Sequence, residues 1–542
     1  MLSCLRLSLR SSLLAAFCSL CLGAGLSLGM VSPAAAQVTA FKQAVAESAS
    51  VDEAVAAFYR DRNYAPIWTG ADESSRARRA ALLDALSGVS VHGLPPARYG
   101  VDQLKAKMAA VRTTRDLGEV EVALSRAFVT YAKDVQTGLL TPSKVDADIK
   151  REVPLHNREA YLNEFALSEA PQSYLRALPP VTAEYRGLMK EKLRLEYVMA
   201  HGGWGPQVPG KKIEPGDRGP AVIALRNRLV TMGYLDRSAT GVYDAQLQQA
   251  VQRFQLAHGL EGDGVAGTST LGEINAPVAE RLESIIVAME RERWLNHERG
   301  DRHILVNQTD FSAKIIDHGR VTFETRSVIG KNAHDRRSPE FSDEMEHMVI
   351  NPSWYVPRSI IVNEYLPKLR NNPGAVGHLE ITDSRGRQVS RANTDFSQFS
   401  AKSFPYAMRQ PPGARNALGR VKFMFPNKYN IYLHDTPQKN LFSREVRAYS
   451  HGCIRLADPF DFAYALLAPQ EADPKAFFQS VLATGKETKV MLKTPVPVHL
   501  IYRTAFTNSQ GRAEFRRDVY GRDAEIWDAL RAAGVTLGAV QG

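Results

Sequence analysis

The chain has 542 residues, 44% of them hydrophobic and 23% charged, with a formal net charge of +10. At about 100–200 residues per domain, that length excludes a single core and predicts three or four compact units, while the composition excludes extensive disorder. The charge is modest for this size and no basic run is interleaved with aromatics, which argues against nucleic acid and allows only a mild attraction to an anionic envelope.

Residues 1–36 read as a secretory leader. Arg6 and Arg10 precede an apolar run from Leu13 to Met30, and Ser32 to Ala36 supply small residues for cleavage before Gln37. An uncleaved membrane anchor is the alternative, because the run is nearly long enough to span a bilayer. Either way the bulk of the chain is expected outside the cytoplasm, in the periplasm. Loss of the two arginines lowers the formal charge from +10 to +8. Cys4, Cys18 and Cys21 fall in the leader, and neither Cys18 nor Cys21 has the small-residue setting of a lipid-attachment site. Cys453 is then the sole thiol of the mature chain, so it is either core filler or a reactive group.

Residues 37–201 have a helical pattern, with Val122, Leu124, Phe128, Tyr131 and Val135 at helical spacing and breaks at Gly93, Pro95-Pro96 and Pro179-Pro180. They form a helical scaffold without a catalytic constellation. The aromatic phrase Phe58 to Trp68 reads as packing in preference to a ligand surface. Residues 202–212 are a Gly/Pro-rich linker. Within 213–276, three short helices are predicted, separated by Gly216-Asp217, Gly233-Tyr234-Leu235, Gly241-Val242-Tyr243-Asp244 and Asp263-Gly264. These phrases, in this order, resemble the peptidoglycan-binding domain of bacterial wall hydrolases and transpeptidases; the alternative is a helical spacer that binds nothing.

A connecting helix is expected in 277–300, with Val278, Leu282, Ile285, Ile286 and Met289 on one face. From 301 to 497 short β-rich runs alternate with Gly, Pro and Asn breaks, the texture of a mainly β domain. An insertion at about 360–410 has mixed polar and helical sequence and is the expected lid or substrate wall. Residues 498–542 form a C-terminal extension. The predicted fold class is therefore multi-domain α+β.

The chemistry concentrates in Ile431-Tyr432-Leu433-His434-Asp435 and Ser450-His451-Gly452-Cys453-Ile454-Arg455. A thiol attacks a carbonyl well only after losing its proton, and a neighbouring imidazole is the usual acceptor. His434 ends a predicted strand nineteen positions before the thiol, and His451 lies two positions before it, on the same face of an extended segment. Local sequence does not choose between them. Asp458-Pro459 reads as the N-cap and first residue of a helix, which sets Cys453 on a strand-to-helix turn. Gly452 lets the backbone approach a bound peptide and frees amides near the thiol. With the Tyr432 hydroxyl, those amides are candidate donors to an oxyanion. Arg455 is a candidate for holding the loop or a substrate carboxylate. Trp354, Tyr406 and Tyr449 are candidate groove residues. Histidine spacing and the single thiol support no metal site, no phosphate-cradling glycine motif is present, and no cofactor is expected.

These phrases, with Asn351-Pro352-Ser353-Trp354-Tyr355-Val356-Pro357, resemble the YkuD-type L,D-transpeptidase domain, and the whole layout resembles the large YcbB-like multi-domain branch of that family. The resemblance implies Cys453 as nucleophile, His434 as base with His451 in support, and the backbone carbonyl near Asp435 orienting the imidazole. It implies attack on a tetrapeptide stem, release of D-alanine and a thioester that a second stem resolves as a 3-3 cross-link. The same acyl-enzyme serves carboxypeptidase, D-amino-acid exchange or outer-membrane-protein anchoring when the acceptor differs. The implied partners are stem peptides and glycan strands, and a monomer is expected. A wall-binding scaffold with an idle thiol is the rival from another class.

Overall fold

The computed structural model describes residues 33–538. The expected leader lies outside the described residues except for Pro33–Ala36, which open the first helix, Pro33–Ala49. No helix among the described residues is long and apolar enough to cross a membrane.

The N-terminal unit is helical. Its longest helix, Thr114–Thr137, starts at a capping box in which Thr113 and Asp116 each accept the other's amide. That helix buries Val122, Leu124, Phe128 and Val135. Phe128 packs against Trp68 and Phe165 with ring centroids 5.7 and 4.6 Å apart. Trp68, Phe58 and Tyr59 are fully buried, and the carboxylate of buried Glu121 takes hydrogen bonds from the Tyr59 hydroxyl and the amides of Ile67 and Thr69. A buried carboxylate supplied with this many donors fixes the loop that carries Trp68.

A small unit of three helices, Pro220–Thr231, Ala245–Ala257 and Thr268–Asn275, closes around Val222, Leu225, Leu229, Leu247, Val251 and Phe254. The helix Val278–Trp294 then runs through the centre of the molecule. Its last turn places four charged residues in a row, Glu290 to Arg293, all buried. Each has a partner: Arg293 binds Glu290 within the turn at 2.6 Å, Arg291 binds Glu340 at 2.8 Å and Asp523 at 2.9 Å, and Glu292 binds Arg299 and Arg503. Arg522 extends the network to Asp146 at 3.1 Å and Glu340 at 3.3 Å. The helical unit, the central helix, the β domain and the C-terminal extension thus share one ionic junction, where removing a single partner leaves a buried charge and costs about 3–5 kcal/mol.

The β domain begins with β1 (Arg302–Asn307), β2 (Ser312–Asp317), β3 (Arg320–Gly330) and β4 (Phe341–Ile350). An excursion follows with β5 (Trp354–Tyr355), β6 (Glu380–Thr382) and β7 (Ala407–Gln410), which form their own sheet in the order β5-β7-β6. The main sheet resumes with β8 (Val421–Met424), β9 (Leu433–His434), β10 (Ala448–Ser450), β11 (Ile454–Leu456) and β12 (Thr488–Ile501). Its order is β10-β3-β11-β9-β8-β4-β12-β1-β2, and β2 also pairs with β3, so the strands from β3 round to β2 close on themselves. Closure removes the free edges of that ring and encloses Ile304, Met348, Phe423, Leu433, Ile454 and Leu500. A C-terminal hairpin of β13 (Ala505–Thr507) and β14 (Ala513–Phe515) and a helix, Arg522–Ala532, complete the described chain.

The excursion has a separate core from Trp354 to Leu418, because its first and last strands, β5 and β7, pair with each other at Trp354 and Gln410. Within it Ile361–Tyr365 forms a wide π-turn that carries Glu364.

Candidate active site

Strand register brings the candidate residues together. β9 runs parallel to β11 with Leu433 opposite Ile454 and His434 opposite Arg455, and one step earlier the Ile454 amide donates to Tyr432 O at 3.1 Å. Side chains alternate along a strand, so Tyr432, His434, Cys453 and Arg455 project to one side while Leu433, Ile454 and Leu456 fill the barrel. All four line a cavity of about 840 Å³ beneath the excursion, with Trp354 and Glu364 on the opposite wall.

His434 is buried, and its Nδ1 lies 2.5 Å from the carbonyl oxygen of Asp435. A carbonyl only accepts, so Nδ1 carries the proton and Nε2 keeps its lone pair. Burial, and after it the charge of Arg455, push the imidazole down to about 3. The Asp435 carboxylate serves the turn: it accepts from the amides of Arg420 and Thr436 and pairs with Lys439 at 2.8 Å. Gly419 is required beside it, since a Cβ there would stand 2.3 Å from that carboxylate.

The Cys453 side chain is half-buried at the base of the cavity, and its sulfur donates to the carbonyl of Asn430 at 3.6 Å. Desolvation by the surrounding walls pushes the thiol up to about 11; hydrogen bonds from Tyr432 and the charge of Arg455 pull the other way. Tyr432 is itself held well above its ordinary value, by burial first and by the facing sulfur second. At neutral pH the resting pair is therefore a thiol and a neutral imidazole.

The turn before the thiol is fixed from behind. Gly452 has φ +113°, a left-handed backbone that favours glycine, and a Cβ would meet Ile431 at 3.2 Å. Ser450 Oγ accepts from the Gly452 amide at 3.1 Å and donates to Cys453 O at 2.5 Å. Ser338 Oγ donates to Gly452 O at 2.6 Å, and Ser338 is in turn held by Arg522 and Tyr520. The Gly452 amide is thus occupied, contrary to the expectation that it is free near the thiol.

Other expected residues are placed differently. His451 is exposed and its Nε2 lies 2.6 Å from Glu364, which also binds Arg336 at 2.8 Å. Arg455 lines the cavity and bonds Gln438 at 2.5 Å. Trp354 lines the wall, edge-on to Tyr365 at 6.4 Å. Tyr406 and Tyr449 do not line it. Tyr406 packs edge-on against Phe399 and Phe404 in the core of the excursion, and Tyr449, between inward-facing neighbours on β10, points to solvent. Asp458 begins the helix Pro459–Leu467 without capping it, because its carboxylate accepts from Thr325 Oγ1 instead. Glu364, Tyr429, Asn430 and Ser338 were not legible as site residues. Only Asn430, with φ +56° inside the phrase Pro426-Asn427-Lys428-Tyr429-Asn430, left a local trace, an asparagine at a turn.

Residues 301–498 match the "L,D-transpeptidase catalytic domain" family, 218–274 the "Putative peptidoglycan binding domain" family and 53–191 a "Scaffold domain" family. A "Putative L,D-transpeptidase" of Haemophilus influenzae is 33% identical over 236 residues, covering 42% of this chain and 47% of that protein, so the match spans about half the relative's length. Among solved structures, an L,D-transpeptidase of Xylanimonas cellulosilytica is 17% identical with TM-score 0.16, covering 55% of this chain and 98% of that one. One from Stackebrandtia nassauensis is 14% identical with TM-score 0.22, covering 55% and 96%. The chain carries a YkuD-type L,D-transpeptidase catalytic domain and a peptidoglycan-binding domain beside an N-terminal helical region.

Proposed function

We propose that this chain is an exported L,D-transpeptidase that forms 3-3 cross-links in periplasmic peptidoglycan through a thioester on Cys453. The observation that carries it is the shared face of two adjacent parallel strands, from which the thiol and a neutral imidazole with Nε2 unprotonated enter one cavity. By sheet spacing their backbones are roughly 8 Å apart on the diagonal, a distance the two side chains shorten to direct or one-water proton transfer once substrate is seated.

In the first step Sγ attacks the carbonyl of the third stem residue as its proton passes to Nε2 of His434. Nδ1–H stays on the Asp435 carbonyl and holds the ring. The Tyr432 hydroxyl and the Cys453 amide are the donors to the oxyanion, a role worth about 3–4 kcal/mol per donor in other enzymes. The imidazolium then protonates the departing D-alanine amine, and the C–N bond breaks to leave the thioester. An amine of a second stem attacks that thioester, its proton returns through His434 to sulfur, and the cross-link is released. His434 is favoured over His451 because the latter is exposed and committed to Glu364.

Muropeptide analysis by mass spectrometry tests this function. Cells with the protein are expected to contain 3-3 dimers that disappear in its absence and in a Cys453→Ala strain. Unchanged dimers in the Cys453→Ala strain favour the wall-binding scaffold.

A further inference from the structure

A second open groove, of about 760 Å³, lies on the far side of Tyr429, and Tyr429 lines both it and the cavity of Cys453. One wall is the loop Pro426–Tyr429 of the β domain; the other is the segment Lys150–Pro154, which comes from the N-terminal helical region. That segment is built onto the β domain. Ile149 is fully buried and bridges to Glu340, the Glu340 amide donates to Asp148 O at 2.9 Å, and buried Arg151 reaches Ser342 Oγ and Leu500 O, both at 2.9 Å.

Two ammonium groups flank the shared ring. Lys150 Nζ lies 5.9 Å and Lys428 Nζ 5.4 Å from the Tyr429 ring centre, and neither has a carboxylate partner among the described residues. A half-buried and an exposed ammonium over one aromatic ring, in a groove also lined by Glu152 and Asp343, suit a peptide that carries both carboxylates and a free amine. The position matters as much as the charge. Tyr429 precedes Asn430, whose carbonyl takes the hydrogen bond of the Cys453 sulfur, so an occupant of this groove ends beside the nucleophile.

We infer that this groove binds the acceptor, the second stem peptide, with its carboxylates on Lys150 and Lys428 and its free amine presented across Tyr429 to the thioester. This rests on the transpeptidase reaction proposed above. The donor occupies the cavity beneath the excursion, and the acceptor enters from the opposite side. The amine forms the C–N bond, the C–S bond breaks, and the proton lost by the amine is returned to sulfur through His434. The N-terminal helical region thereby supplies half of a substrate site.

The test separates the two half-reactions of the full chain on a synthetic tetrapeptide donor. Acyl-enzyme formation is followed by intact mass, and the partition between cross-linked dimer and hydrolysed tripeptide is read by chromatography as acceptor is varied. Lys150→Glu/Lys428→Glu is expected to acylate within twofold of wild type while the dimer-to-hydrolysis ratio falls at least tenfold. Amidation of the acceptor's carboxylates should lower the wild-type ratio similarly and not lower the double variant's ratio further. An unchanged ratio, or acylation falling in step with cross-linking, overturns the assignment. Absence of any adduct on the wild-type protein instead overturns the reaction itself.

Discussion

Alkylation of Cys453 by iodoacetamide reports directly on the charge state of the resting site. A thiol held near 11 is about 0.1% ionised at pH 8, against roughly a quarter for a free cysteine near 8.5, a ratio on the order of 200. The more basic thiolate is intrinsically the better nucleophile, which returns about tenfold and leaves alkylation roughly 20-fold slower than for free cysteine. The pH profile is the sharper readout: from pH 7 to 9.5 the rate should keep rising about tenfold per unit, while that of free cysteine levels off above its own pKa. Labelling is quantified on the proteolytic peptide that contains Cys453. A rate at or above that of free cysteine, flat below pH 7, would mean a preformed thiolate–imidazolium pair and refute the resting state described here.

Replacing His434 by Ala removes the proposed proton acceptor and is expected to slow acylation by about 10²–10⁴ at neutral pH; His451→Ala loses only the tie to Glu364 and should cost less than about tenfold, as single-turnover kinetics will show. Because burial holds the folded His434 near 3 while the unfolded side chain titrates near 6.5, the unfolded state binds the extra proton between those values, so stability falls as pH drops through that window. Denaturant titrations from pH 7 to 4 should show that loss, smaller in His434→Gln. Gly452→Ala forces a side chain into a left-handed backbone facing Ile431, with an expected cost of about 1–3 kcal/mol by the same titration and a loss of acylation beyond it. Ser338→Ala leaves the buried Gly452 carbonyl without its hydroxyl donor, and about 1–3 kcal/mol with slowed acylation is expected.

What was legible in the sequence is what chain neighbours encode. The three short helices around Leu225, Val251 and Phe254 follow from apolar spacing and glycine turns, and the turn that carries Cys453 from a phrase in which glycine, histidine and arginine surround the thiol. Register then follows from two short strands, which is why His434 and Cys453 end on one face. Contacts made by long-range topology were not legible. Lys150 reaches Tyr429 across 279 positions, and Glu364 reaches His451 across 87. Tyr406 and Tyr449 show the limit of residue type: an aromatic side chain serves a wall or a core equally well, and only its tertiary surroundings decide. The charged run Glu290 to Arg293 has the look of a solvated helix end, yet it is buried because Glu340 and Asp523 pair with Arg291, Arg299 and Arg503 pair with Glu292, and Glu290 and Arg293 pair with each other.

The central claim is that the sulfur at 453, helped by the imidazole at 434, becomes covalently acylated. Intact-protein mass spectrometry after brief exposure to a tetrapeptide stem, or to a carbapenem as its mimic, measures this most directly. An adduct equal to the stem less D-alanine, or to the whole carbapenem, mapped to the Cys453 peptide and absent from Cys453→Ala and His434→Ala, is the predicted result. An unmodified wild-type chain, or an adduct that survives in Cys453→Ala, would contradict it.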